Sequence, residues 1–330
     1  MRDVIKLIVS LGVAGFFLWS AFRTVDLQTV LDILLRTRVI WLLAGTVCIL
    51  LATYPRAYRW RILMAPIIAG APIHKLFMAI LVGYAGNNLI PRAGEVAKVW
   101  AIDRDPKRIS GLLATVAVER LIDLLALMMT FAAVAICIRG HLEEVFPWMT
   151  DVINTATLSI TAATLLVLIA SLRGHRLIDW LESRLHNPHI NRILEFARSF
   201  LQGTEAIRSP STYLKILFWT VLLNVAYVGA LALHFEAFDF GKRYGLGLLD
   251  ALVVTTISTI GIVIPTPGGT GTYHYFSSRA LHGLYGVPLE EALAFATVVH
   301  GLIYVAFLVT GGPGLISLIW RKRAPAPEST

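Results

Sequence analysis

Long apolar runs recur along almost the whole chain, separated by short polar segments rich in Lys and Arg. An α-helix needs about 17–25 largely apolar residues to cross the hydrocarbon core of a bilayer. Six stretches meet that requirement: a first run from Val4 (VIKLIVSLGVAGFFLWSAF), then roughly 39–54, 112–138, 153–172, 213–234 and 292–319. The first has the basic start of a secretory signal, but it is about the length of a full span and lacks a small-residue cleavage pattern, so it reads as an uncleaved helix. Two further apolar regions, roughly 76–101 and 248–283, are broken near their middles by Pro and Gly.

Charge placement decides how the broken regions lie, because loops carrying Lys and Arg stay on the cytoplasmic side. With six crossing helices, and with each broken region entering and leaving on one side, most of the 29 Lys and Arg fall in cytoplasmic segments and both termini are cytoplasmic. A single crossing over 76–101 would instead place the basic stretch 102–110 outside, and about 26 residues are too few for two crossings. The pattern therefore predicts two re-entrant helical hairpins. Arg23, Arg36 and Arg38 then lie on the external side, a misfit eased if VDLQTVLDILLR lies on the surface as an amphipathic helix.

The order helix, helix, hairpin, helix in 1–138 repeats in 153–319, after an external loop at 139–152, and the two sets start on opposite sides. LIPRAGE at 89–95 also aligns with VIPTPGG at 263–269. This is the signature of an inverted repeat, in which broken elements meet near the midplane. Two ordinary spans kinked by Pro and Gly would give the same local signals. The predicted fold is thus an all-α integral membrane protein of six transmembrane helices and two oppositely oriented re-entrant hairpins, with a cytoplasmic insertion at 173–212 and a Pro-rich tail at 320–330. Leu177, Trp180, Leu181 and Leu185 recur at helical spacing in the insertion, which reads as amphipathic helix on the cytoplasmic face.

Composition fits this picture: 56% hydrophobic residues, 15% charged, and a mean hydropathy of +0.70. The net charge of +8 is spread between apolar runs, where it orients helices and meets anionic headgroups, and does not indicate nucleic acid. Cys48 and Cys137 both lie in apolar runs, so neither a disulfide framework nor a cysteine metal site is indicated.

The chemistry-bearing residues lie at membrane depth. In GNNLIPRAGE, Asn87 and Asn88 can satisfy a turn's orphaned amides, Pro91 ends the first arm and Gly94 permits close approach. Arg92, Glu95 and Lys98 would line the returning arm, with Glu95 and Lys98 spaced to pair. In SGLLATVAVERLIDLLALMM, Glu119 and Asp123 share a helix face and Arg120 is three residues from Asp123. One such charge at a helix centre costs about 2.5–3.5 kcal/mol against lipid, so these groups should face the protein interior or a hydrated groove. They read either as a headgroup track or as a structural lock. PTPGGTGTYH offers Thr266, Gly268, Gly269 and Thr270 as an amide cup for an anion, or simply as a close-packed turn. It lacks the ending of a P-loop. His274 reads as a scaffold group, and His300 and Tyr304 stand one turn apart, facing a cavity or an interface. Arg279 could meet a phosphate or a helix end.

NNLIPRAGEVAKVW, then ISGLLATVAVERLID, then IPTPGGTGTYH resemble the membrane domain of the lysylphosphatidylglycerol synthetase and flippase family. The resemblance covers nearly the whole chain and implies lipid translocation. Members with a synthetase domain move an aminoacylated phospholipid between leaflets; stand-alone members are linked to other polar lipids, including polyisoprenyl-linked sugars and hopanoids. The sequence stops at Thr330 without room for an aminoacyl-transferase domain, so lysyl transfer is not expected. The resulting expectation is a cytoplasmic-membrane lipid carrier whose partners are lipids with charged heads, with no cofactor, metal or nucleic acid. Its rivals are an ion-coupled carrier of a small solute and an integral membrane lipid-modifying enzyme; neither a zinc-protease motif nor a nucleotide site is present.

Overall fold

The computed structural model describes residues 35–137 and 210–321 continuously, with scattered positions between 12 and 33 and between 145 and 198. All regular structure among the described residues is helical. The expected first helix, most of the 153–172 span and insertion, and the tail beyond Arg321 lie outside them. Within the insertion, residues 178–184 are helical, and Arg198 pairs with Asp179 and Glu182 at 2.8 Å each.

The first span comprises α1 (Val39–Leu51) and α2 (Thr53–Met64), which follow one another through Ala52. Pro55 has no amide hydrogen for the Leu51 carbonyl, which accounts for the break just before it. The span therefore runs to Met64, ten residues past the end expected from hydropathy. A first helix pair follows, α3 (Ile73–Leu89) and α4 (Ala93–Ile102), then α5 (Pro106–Cys137). The second part comprises α6 (Pro210–Ala237), the short α7 (Phe240–Tyr244), a second helix pair α8 (Leu248–Val263) and α9 (Thr272–Tyr285), and α10 (Leu289–Arg321). A 3-10 turn at Pro267–Gly269 joins α8 to α9. Proline opens α5 and α6 and immediately precedes α3 and α10, where a missing amide hydrogen costs nothing.

Val39–Met64, Ser211–Ala237 and Leu289–Trp320 are each long and apolar enough to cross a membrane. The outward face of α6 carries exposed Leu214, Leu217, Phe218, Val221 and Val225, and that of α1 carries exposed Ile40, Leu43, Val47 and Leu51. Apolar stripes of this kind suit a hydrocarbon solvent.

α10 is the post around which both pairs are arranged: it packs along α3 on one side and α9 on another. Contacts at its two ends give the pairs opposite directions. Near its start, Arg243 forms a two-pronged ion pair with Glu291 (2.6 and 2.7 Å), and Arg38 of the nearby α1 start binds Asp239 at 3.0 Å. The second pair has its open end here. Near the finish of α10, Arg104 donates to the Leu318 carbonyl and Lys75 donates to the Ile102 carbonyl, each at 3.2 Å. The first pair has its open end there. Both turns reach Tyr304, close to the middle of the 33-residue α10. Two apolar cores flank the meeting point, one around Trp60, Met64, Leu76 and Leu112 and the other around Phe235, Phe240, Phe276 and Phe295.

Candidate functional site

The first turn is only three residues, Ile90–Arg92, and side chains hold it closed. Arg92 takes a left-handed backbone conformation (φ 63°) that lets α4 start back along α3. Asn87 Oδ1 accepts the Gly94 amide at 2.9 Å, so an α3 side chain satisfies an orphaned donor in the first turn of α4. Gly94 has no alternative: a methyl there would overlap the Gly83 carbonyl oxygen.

Beyond the turn the two arms converge with α2 and α5 on a buried cluster of charge. Glu119, fully buried, accepts Arg56 at 2.9 Å and Lys98 at 2.6 Å, with Arg59 at 3.7 Å. Asp123 binds Arg59, lies 3.1 Å from Arg56, and accepts a long bond from Arg120 at 3.4 Å. The other end of Arg120 meets Glu95 at 2.7 Å. Arg59 Nη1 also donates to Thr220 of α6 at 3.1 Å, and the Lys98 ammonium sits 4.4 Å over the ring of Trp60, whose indole N–H donates to Thr115.

Two corrections to the sequence reading follow. Lys98 does not pair with Glu95 on its own helix; both charges face α5, which offers Glu119 to one and Arg120 to the other. Arg56 and Arg59, which the 39–54 span expected from hydropathy leaves outside the helix, are buried helix residues supplying half the positive charge of the cluster. Arg56 and Arg59 stand about one helical turn apart on α2, as Glu119 and Asp123 do on α5, but that shared face exists only because the helix continues past Pro55.

A narrow cleft of about 10 Å³, room for roughly one water molecule, opens against this cluster, walled by Arg56, Ile80, Gly83, Tyr84, Asn87, Gly94, Glu95, Lys98 and Arg120. The Arg120 side chain is 40% exposed at its edge, whereas those of Arg56 and Lys98 are almost wholly enclosed. Arg92 is exposed and takes part in none of the cluster's ion pairs.

From the cleft a line of aromatic and polar groups leads to the second turn. Arg56 lies 5.9 Å from the Tyr84 ring; Tyr84 stacks on Phe307 at 4.3 Å and its hydroxyl meets that of Tyr227 at 3.4 Å. One turn on, Asn88 donates to the Tyr304 carbonyl (3.0 Å) while the Tyr304 hydroxyl donates to the Asn88 carbonyl (2.8 Å). Gly268, at φ 58°, presses on both: an added methyl would meet the Tyr304 ring at 2.7 Å and Asn88 Oδ1 at 2.8 Å.

In the second turn the amides of Thr266, Gly269 and Thr270 bond to the carbonyls of Ile264, Thr266 and Pro267, and the Gly271 amide meets His274 Nδ1 at 3.4 Å. The Thr266 and Thr272 hydroxyls meet at 3.2 Å. These four amides are engaged within the turn, which favours the close-packed alternative over an open anion cup. Buried His274 lies beside His300 (ring centroids 5.1 Å apart), which stacks on Tyr273 at 4.8 Å and is 6.3 Å from Tyr304. Arg279 stands 5.9 Å from the Tyr275 ring, away from the cleft-lining residues. Among the described residues no group of three or more His, Cys, Asp or Glu could hold a metal ion.

All-helical architecture, apolar outer faces and intramembrane charge define a multi-pass membrane protein. The family described as the lysylphosphatidylglycerol synthase TM region matches residues 4–311, and the chain belongs to that family. No curated protein and no solved structure matches the chain.

Proposed function

We propose that the chain moves the head of a polar lipid between the leaflets of the cytoplasmic membrane, acting as a carrier and not as an enzyme. On this reading α3/α4 and α8/α9 are re-entrant hairpins dipping from opposite faces, each at the heart of one half of an inverted repeat, and both termini are cytoplasmic. Family membership supports a lipid-related role. The observation that carries the reading is the charged cleft beside the first turn: a cluster this costly to bury has to line a wet or protein-walled path. The acyl or prenyl tail stays in hydrocarbon while fixed polar partners receive the head, which lowers the barrier to crossing.

The test is leaflet exchange of labelled candidate lipids by the purified protein in liposomes. Glu119→Gln, Arg120→Ala and Lys98→Ala should each slow exchange. Parental rates in all three folded variants would refute the site assignment.

A further inference from the structure

We propose that His300, beside His274, takes up one proton and that its charging releases the second turn from Tyr304 and Asn88; this rests on the carrier reading and names the proton as its coupling ion. The site lies apart from the cluster of Arg, Lys and carboxylates. His300 Nε2 is buried without a hydrogen-bond partner among the described residues, its ring stacks on Tyr273 at 4.8 Å, and the His274 ring is 5.1 Å away. The turn leans on it: an added methyl at Gly269 would stand 3.8 Å from His300 Cε1.

Both imidazoles stand where a positive charge is costly while the turn is closed. The Gly271 amide donates to His274 Nδ1 at 3.4 Å, so this nitrogen is an acceptor and its lone pair caps the start of α9. An imidazolium cannot accept that bond, and it would sit at the positive end of the helix dipole. Around His300 the ionisable groups in ring contact are His274, Tyr273 and Tyr304. The helices packed on α9 and α10 hold their ionisable groups on other partners. On α8, Asp250 accepts the Gly247 amide at the far end; on α3, Tyr84 is stacked on Phe307 and Lys75 reaches the Ile102 carbonyl at the open end, beside His74. On α4, Glu95 and Lys98 are committed to α5, and on α1 the Cys48 thiol meets the Ala226 carbonyl.

Stacking on Tyr273 compensates an imidazolium by much less than burial of an unpaired ion costs. The charged form of His300 therefore has to reach water or an anion, and the turn leaning on it has to move. That movement carries Gly268 off the Tyr304 ring and Asn88 Oδ1, contacts so close that an added methyl would meet them at 2.7 and 2.8 Å. Asn88 and Tyr304 are the reciprocal pair that ties α3 to α10, so a proton at His300 loosens the junction next to the charge cluster. The imidazole takes its proton from water as the turn opens and returns it to water as the turn closes. A proton gradient across the membrane then drives the cycle in one direction.

The test uses the full-length protein in liposomes, with Cys48→Ala and Cys137→Ala and a nitroxide on Thr270→Cys, a half-buried position in the turn. The label's mobility and its contact with a water-soluble relaxing agent are read at about pH 8 and about pH 5, which bracket imidazole titration. Both should rise at the lower pH in the parent and stay level in His300→Gln, with His274→Gln as a second variant and melting temperatures confirming that each is folded. Leaflet exchange of labelled phosphatidylglycerol and phosphatidylethanolamine by the unlabelled proteins should quicken over the same interval, by at most about tenfold per pH unit for one proton. That response too should vanish in His300→Gln. A turn that ignores pH, or that responds as strongly in both histidine variants as in the parent, overturns the inference. A responding turn with no exchange of either lipid keeps the proton site and defeats the carrier reading. Exchange at one rate at both pH values leaves the carrier reading standing and refutes proton coupling.

Discussion

The two helix pairs that meet at Tyr304 face the same task, reversing the chain between apolar helices, and they accomplish it with different chemistry. The first turn takes three residues and depends on side chains: Asn87 caps the returning helix, Arg92 supplies the left-handed residue, and the arms run into a four-cation cluster. The second takes eight residues, Ile264–Gly271, and depends on backbone bonds, glycines and threonine hydroxyls. Across Leu248–Tyr285 the only Asp, Glu, Lys or Arg are Asp250 and Arg279, whereas Ile73–Ile102 holds Lys75, Arg92, Glu95 and Lys98. Similar topology thus supports a division of labour. The first pair carries the buried charge, and the second supplies a neutral, closely fitted wall beyond Tyr304.

The comparison breaks most sharply on charge removal. Glu119→Gln strips the shared partner from Arg56 and Lys98, leaving buried cations without compensation, and should cost about 3–5 kcal/mol. The neutral change His300→Gln on α10, beside the second pair, should cost far less, because among the described residues His300 makes ring contacts and no ion pair. Melting temperatures of the two purified variants measure the gap; equal losses would contradict the division.

A smaller effect separates the turns by sterics. Gly94→Ala forces a methyl into the Gly83 carbonyl of the opposite arm, a backbone contact that yields only if the arms part. Gly268→Ala meets the Tyr304 ring and adds the strain of a left-handed alanine, about 1–2 kcal/mol. Both should destabilise by roughly 1–3 kcal/mol, as overpacking does. Only Gly94→Ala should also disturb the cleft and slow lipid exchange; Gly268→Ala slowing it as much would mean that the second turn lines the path too.

Much of this arrangement was legible in the sequence, for physical reasons that can be named. Pro and Gly inside apolar runs marked both breaks, because a helix cannot pass through PRAG or PTPGGTG unaltered. Glu95, Lys98, Glu119, Arg120 and Asp123 stood out because charge at membrane depth demands partners. The identity of those partners was not legible, since Glu95 and Lys98 are placed by tertiary packing against α5 and not by spacing on α4. Arg56 and Arg59 were hidden by their neighbours: Pro55 and three arginines within six residues look like the end of a span, and nothing local shows that the helix continues to Met64. The second turn left two readings open in the sequence, because nothing local shows that its freed amides find carbonyls and an imidazole within the turn.

The central claim is that the two pairs enter a membrane from opposite faces and meet inside it. Single cysteines at Arg104, at the open end of the first pair, and Gly286, at the open end of the second, labelled in sealed vesicles of known orientation with an impermeant thiol reagent, test it directly. The account predicts that residue 104 is labelled only from the cytoplasmic side and residue 286 only from the opposite side. Labelling of both from the same side would contradict it.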